Sequence, residues 1–152
     1  MADDLKSLEH WLTPLLHRLQ PGERRKLARE VARLVRAANQ KTMAAQTGPE
    51  GGAWQPRKNR SRDERGKLRQ GPMFRKLRTA RYLKALAFSD AAVVQFMGRA
   101  ERLATVHHFG LRDYVNPGGA QYDYPERPLL GITPAQIEQL RDVMLAHIAG
   151  AS

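Results

Sequence analysis

The stretch YLKALAFSDAAVVQF, Tyr82–Phe96, decides whether this chain is purely helical or mixed. Tyr82 to Ala87 and Ala91 to Phe96 are short apolar runs on either side of Phe88-Ser89-Asp90. Their leucines and alanines would also suit a helix, but runs this short around a polar break predict an antiparallel hairpin.

Upstream of that hairpin the pattern is helical. Leu5, Leu8, Leu12, Leu15, Leu16 and Leu19 recur at helical spacing, with Pro14 limiting or kinking the helix. Gln20-Pro21-Gly22-Glu23 breaks and restarts the chain, and Pro21 suits a first helical turn. A second helix then runs from about Pro21 to about Gln46, with Leu27, Val31, Leu34, Val35 and Ala38 as its apolar stripe. Gly48-Pro49-Glu50-Gly51-Gly52 ends it. Residues 53–72 read as a long loop, a length that is usually functional or disordered in a small domain. Met73 to Leu77 suits a short helix.

Downstream, Arg99 to Phe109 fits a short helix or an irregular strand, with Val106 and Phe109 toward the core and Gly110 releasing the chain. Asn116-Pro117-Gly118-Gly119 is a second loop, followed by Tyr122 and Tyr124. A last helix starts with Thr133 as N-cap, Pro134 at the first helical position and Gln136 three residues after the cap. Ile137, Leu140, Met144 and Ile148 form its buried stripe.

At 152 residues the chain reads as a single domain, 1–152, with 47–72 as a basic loop or arm. It has no cysteine, which excludes disulfides and thiolate chemistry. The acidic start Met1-Ala2-Asp3-Asp4-Leu5 does not resemble a signal peptide, and no apolar run reaches the ~20 residues that span a bilayer. A soluble protein with no membrane partner is expected.

The net charge of +11 is local. Arg57 to Lys84 holds 12 basic residues against Asp63 and Glu64, which is +10; the other 14 basic and 13 acidic residues nearly cancel. The candidate contact residues are Arg57, Lys58, Arg60, Arg62, Arg65, Lys67, Arg69, Arg75, Arg78 and Arg81. Three readings stay open: a nucleic-acid contact with steep salt dependence, a protein contact that orders on an acidic neighbour, or a solvated run. Helix-turn-helix and zinc-finger spacing are absent, and only Trp54, Phe74 and Tyr82 offer aromatic stacking nearby. Phe74, Tyr82 and Phe96 read as core rather than as ligand-stacking residues.

Chemistry has little to stand on. There is no phosphate-binding GxxxxGK[ST], no dinucleotide GxGxxG, no HExxH and no Gly-x-Ser-x-Gly. The histidines are His10, His17, His107, His108 and His147. Adjacent residues point about 100° apart on a helix and to opposite faces of a strand, so His107 and His108 do not converge on one metal. Glu101 and Asp113 are their nearest acidic neighbours in sequence and the candidate hydrogen-bond partners. A structural role is the expectation for both histidines, with no catalytic residue, metal or cofactor. Gly110 and Gly131 each end an apolar or aromatic run, through positive φ or through close approach of a neighbouring subunit.

Four blocks in order, LQPGERRKLAREVARLVR (Leu19–Arg36), FRKLRTARYLKA (Phe74–Ala85), AAVVQFMGRAERLATVHHFGLRD (Ala91–Asp113) and RPLLGIT (Arg127–Thr133), resemble the phage virion morphogenesis family. This is the tail completion protein S family of temperate contractile-tailed phages. His107 and Gly110 match its pattern, whereas His108 stands where the family has a polar residue other than histidine.

The resemblance implies an α+β fold, with a small curved antiparallel sheet packed against N-terminal and C-terminal helices. It implies a non-enzymatic virion protein at the tail–head junction, assembled in the host cytoplasm. Such a protein completes the head-proximal end of the tail and supports joining to the head. It would act as a homo-oligomeric ring of six copies around the DNA channel. Its neighbours would be tail tube, sheath and neck or connector proteins, with non-specific contact to passing DNA. The alternative is a DNA-binding accessory protein that lays segment 57–84 on phosphate backbone.

Overall fold

A computed structural model of the chain describes residues 2–57 and 71–150. Its first helix, α1 (Ala2–Leu16), carries Asp3 and Asp4 in the first turn, where carboxylates complement the helix dipole. Pro14 lacks an N–H, and the helix stops two residues later. Shorter bonds from Arg18 N–H to Leu15 O and from Leu19 N–H to Leu16 O then tighten the chain. Leu12 and Leu19 are buried, and α1 packs on the last helix.

Helix α2 (Pro21–Ala44) opens with Pro21 after an extended Gln20 and buries Leu27, Ala32, Asn39 and Met43. Gln46 ends it in the left-handed region at φ 60°. The glycine-rich run 48–52 then folds back: Gly48 N–H donates to Gly52 O, Gly51 N–H to Gly48 O, and Trp54 N–H to Gln46 O.

The hairpin forms as expected. Strands β1 (Leu83–Ala87) and β2 (Ala92–Phe96) pair antiparallel, from Leu83 opposite Phe96 to Ala87 opposite Ala92. The ribbon packs on α2, and Leu83 is fully buried. The helix expected over 73–77 is instead a run of turns, 73–82. Phe74 sits at φ 60°, a conformation no α-helix contains, and its carbonyl accepts from both Leu77 and Arg78 N–H.

Helix α3 (Arg99–Phe109) settles the open reading of that segment. It closes on Gly110 at φ 65°. Two short strands follow, β3 (Arg112–Tyr114) and β4 (Gln121–Asp123), paired antiparallel across the 116–119 turn. An extended segment leads to α4 (Pro134–Gly150). There the capping box is in place: Gln136 N–H donates to Thr133 Oγ1 (3.2 Å) and Thr133 N–H to Gln136 Oε1 (2.9 Å). Ile137 and Leu140 are buried, while Met144 and Ile148 are only half-buried.

The architecture is α+β. Among the described residues, the strands form two separate two-stranded ribbons among four helices. One core unites Met43, Trp54, Met73, Leu77, Leu83, Ala100, Ala104 and Leu129, with Phe74, Tyr82, Val94, Phe96 and Leu130 against it. Phe74, Tyr82 and Phe96 therefore pack as core residues.

Candidate functional site: pinned segments beside a basic face

The block RPLLG, residues 127–131, runs through the interior outside any regular element. Backbone polar groups buried there need partners, and three side chains and one backbone carbonyl supply them. Arg127 N–H donates to His107 O (2.8 Å), and Trp54 Nε1 donates to Pro128 O (2.9 Å). Leu129 N–H donates to His108 Nδ1 (3.1 Å). The Asn39 amide takes both groups of Gly131: its Oδ1 accepts from the N–H (2.9 Å) and its Nδ2 donates to the C=O (3.2 Å). Leu129 is 0% exposed between them.

Just past the end of α2, Gln46 repeats the grip on Met73. Its Oε1 accepts from Met73 N–H (2.7 Å) and its Nε2 donates to Met73 O (3.1 Å). These bonds offset the backbone strain of the left-handed Gln46.

The other root of the basic segment is tied by Arg127, which is 5% exposed. Its guanidinium donates to Gln55 O (2.8 Å) and Pro56 O (3.1 Å). Burial lowers its pKa, the Tyr122 hydroxyl opposes that shift, and the nearby Arg57 charge adds to it. Arginine stays charged throughout, so Arg127 is a buried cation held by carbonyl dipoles. Both ends of the basic segment are thus fastened to the core, at 54–56 and at 73.

A row of rings joins these ties. Trp54, Phe74, His107, Tyr124 and Tyr122 meet edge to face in succession, with centroids 5.5, 4.7, 4.8 and 5.0 Å apart. Phe74 reaches its place only through its positive φ. His107 lies buried in the middle of the row, and burial, aided by the Arg127 charge, lowers its pKa to about 4. His108 is also shifted down, by burial, with Glu126 opposing. Both rings are neutral structural groups, and His108 acts as an acceptor.

Several expectations are corrected here. Asp113 accepts from Arg102 (2.6 Å), and no histidine hydrogen bond reaches it or Glu101 among the described residues. Phe109 is 62% exposed, lying over the His108 ring instead of in the core. Gly110 combines positive φ with close approach: a Cβ there would lie 2.7 Å from Glu126 N. Gly131 meets only the second condition, and its close neighbour is Pro49 of the same chain at 2.8 Å.

Of the expected contact residues, Arg57, Arg75 and Arg81 are exposed and Arg78 is half-buried. Arg81 lies over the Tyr82 ring at 5.3 Å, and Arg78 O accepts from Gln40 Nε2 (2.7 Å). Lys58, Arg60, Arg62, Arg65, Lys67 and Arg69 lie outside the described residues. Sequence reasoning gave no role to Asn39, Gln46 and Arg127, and read Trp54 only as an aromatic near the basic run. The usable signal was a polar Asn39 directly after the apolar stripe of α2, seven residues before Gln46. Among the described residues no group of three His, Cys, Asp or Glu side chains could hold a metal, and no helix is long and apolar enough to cross a membrane.

The segments that are pinned or strained here, around Phe74, His107 to Gly110 and Arg127 to Gly131, fall within the blocks that carried the family likeness. Comparison with known proteins agrees with that likeness. No solved structure matches the chain. The tail completion protein S of Escherichia phage P2 is 36% identical over 148 residues, covering 96% of this chain and 98% of that protein. The sequence profile of the phage virion morphogenesis family matches residues 3–149, and the chain belongs to that family.

Proposed function

We propose that this chain is a structural virion protein that completes the head-proximal end of a phage tail and supports its joining to the head. It works as a homo-oligomeric ring, six copies around the DNA channel, against neighbouring tail tube, sheath and neck or connector proteins. The observation that carries the reading is the near-full-length relationship to the P2 tail completion protein. The geometry supports a structural role: His107 packs edge to face between Phe74 and Tyr124, and His108 accepts a backbone hydrogen bond from Leu129.

The basic segment, anchored at Arg127 and Gln46 and flanked by Arg57, Arg75, Arg78 and Arg81, is the contact surface. In the ring it reaches a neighbouring subunit or layer, and any residue facing the lumen meets passing DNA through phosphate contacts alone.

Two measurements test this. Light scattering and electron microscopy of the purified chain are expected to give a closed ring, and labelling of virions is expected to place it at the tail–head junction. A monomer that binds duplex DNA tightly, with affinity falling steeply as salt rises, would instead mark a DNA-binding accessory protein.

A further inference from the structure

Away from the basic face, an open and mostly apolar groove of about 870 Å³ lies between α1, α2, α4, β2 and α3. Leu8, Leu12, Val35, Val94, Phe96 and Leu140 are among the residues that form its walls. Its lining includes Glu9, Asp90 and Glu101 and no lysine or arginine. That is a notable bias in a chain with 26 basic and 15 acidic residues. All three carboxylates are exposed, and none has an ion-pair partner among the described residues.

The face with the opposite sign is on the same chain and adjoins the groove only at its end, where Lys84 pairs with the lining residue Gln95 across the hairpin. Residues 73–84 carry Arg75, Lys76, Arg78, Arg81 and Lys84 with no acidic residue, and none of them lines the groove. Met97 sits beside this face, because its N–H donates to Tyr82 O (2.8 Å), and it is 40% exposed. A charged apolar groove and a charged face with an apolar side chain thus complement each other, while Arg75, Arg78 and Arg81 stay out of the groove of their own molecule.

We infer that the groove receives the 73–84 face of a second copy of this chain, head to tail. Met97 and the aliphatic stems of the arginines cover the apolar walls, while the guanidinium groups meet the rim carboxylates of Glu9, Asp90 and Glu101. Rim ion pairs add little affinity but fix register and speed encounter, so apolar burial supplies most of the attraction. Such an interface uses two different patches per copy, which is the kind that closes into rings. The inference rests on the ring proposed above and names the surfaces that build it.

The test is charge reversal read by light scattering. Glu9→Lys, Asp90→Lys and Glu101→Lys together should weaken self-association by about 100-fold, as should Arg75→Glu, Arg78→Glu and Arg81→Glu together. The chain carrying all six reversals should assemble again, which a merely misfolded variant cannot do. Should a reversed set melt early, the neutral set Glu9→Gln, Asp90→Asn and Glu101→Gln, with circular dichroism unchanged, gives the same reading with a smaller shift.

A wild-type chain that stays monomeric at every concentration overturns the ring reading itself. A wild-type oligomer that survives reversal of the groove leaves the ring standing and overturns this inference. An oligomer lost on groove reversal with circular dichroism unchanged, and not regained with six reversals, means that a surface of the chain other than 73–84 fills the groove, which also overturns it.

Discussion

Segments 127–131 and 73–82 are both irregular, and both carry arginine, one residue in the first and three in the second, yet they use it in opposite ways. In the first, Arg127 is buried and its donors are spent on Gln55 and Pro56 carbonyls. In the second, Arg75 and Arg81 are exposed, and only the backbone is tied, by Gln46 at Met73 and by Gln40 at Arg78. The difference separates two jobs. A guanidinium turned inward replaces the ladder bonds that an extended segment lacks, while one turned outward stays available to a partner. The fold therefore spends its specific polar side chains on placing the basic face, and leaves the face itself free.

The sharpest way to break this contrast is to remove a tie. Asn39→Leu keeps the side-chain volume similar but leaves both Gly131 backbone groups unpaired. Gly131 is half-buried, so at about 1–2 kcal/mol for each unpaired group the loss should be about 2–4 kcal/mol, read by urea denaturation. A loss under about 1 kcal/mol, within the range of an ordinary surface change, would mean that water replaces the amide and that the tie is dispensable.

Acid tests the same interior more gently. His107 is held to about 4, below its ordinary 6.5, chiefly by burial. Because the unfolded chain binds the proton more readily, His107 contributes nothing adverse above pH 6.5, and stability falls as pH drops from 6.5 toward 4. The loss should approach about 3 kcal/mol. His107→Phe keeps an edge-to-face ring between Phe74 and Tyr124 and should remove that part of the slope. Some slope remains from His108, whose Nδ1 can accept from Leu129 only while unprotonated. A variant with the wild-type slope would show that His107 titrates as it does in water.

Sequence alone read the regular elements well wherever local chemistry decides them. Thr133 and Gln136 announced α4, Pro21 announced α2, and the short runs around Ser89-Asp90 announced the hairpin. It erred where distant contacts decide. Phe74 ends the expected helix over 73–77 through a positive φ held by rings of Trp54 and His107, 20 and 33 residues away. Phe109 was assigned to the core, but α3 buries Ala100, Ala104 and His107, and two residues past His107 is about 200° around the helix. The basic face was legible as composition, since +10 of +11 lies in one run. Its anchorage was not, because a buried arginine and an exposed one are the same letter.

The smallest expected effect is the most telling about that face. Arg75→Ser with Arg81→Ser removes two exposed cations and one cation–π contact over Tyr82. Neither charge has a carboxylate partner among the described residues, so little folding free energy is at stake. The stacked Arg81 contributes about 0.5–1 kcal/mol at such an exposed site, and relief of like-charge repulsion offsets part of it. Thermal melting should therefore stay within a few degrees of wild type, as is normal for surface changes. A drop comparable to that of Asn39→Leu would show that these arginines are part of the interior framework after all. An unchanged melt with weakened self-association keeps them where the contrast puts them, on a surface positioned by the core and reserved for a partner.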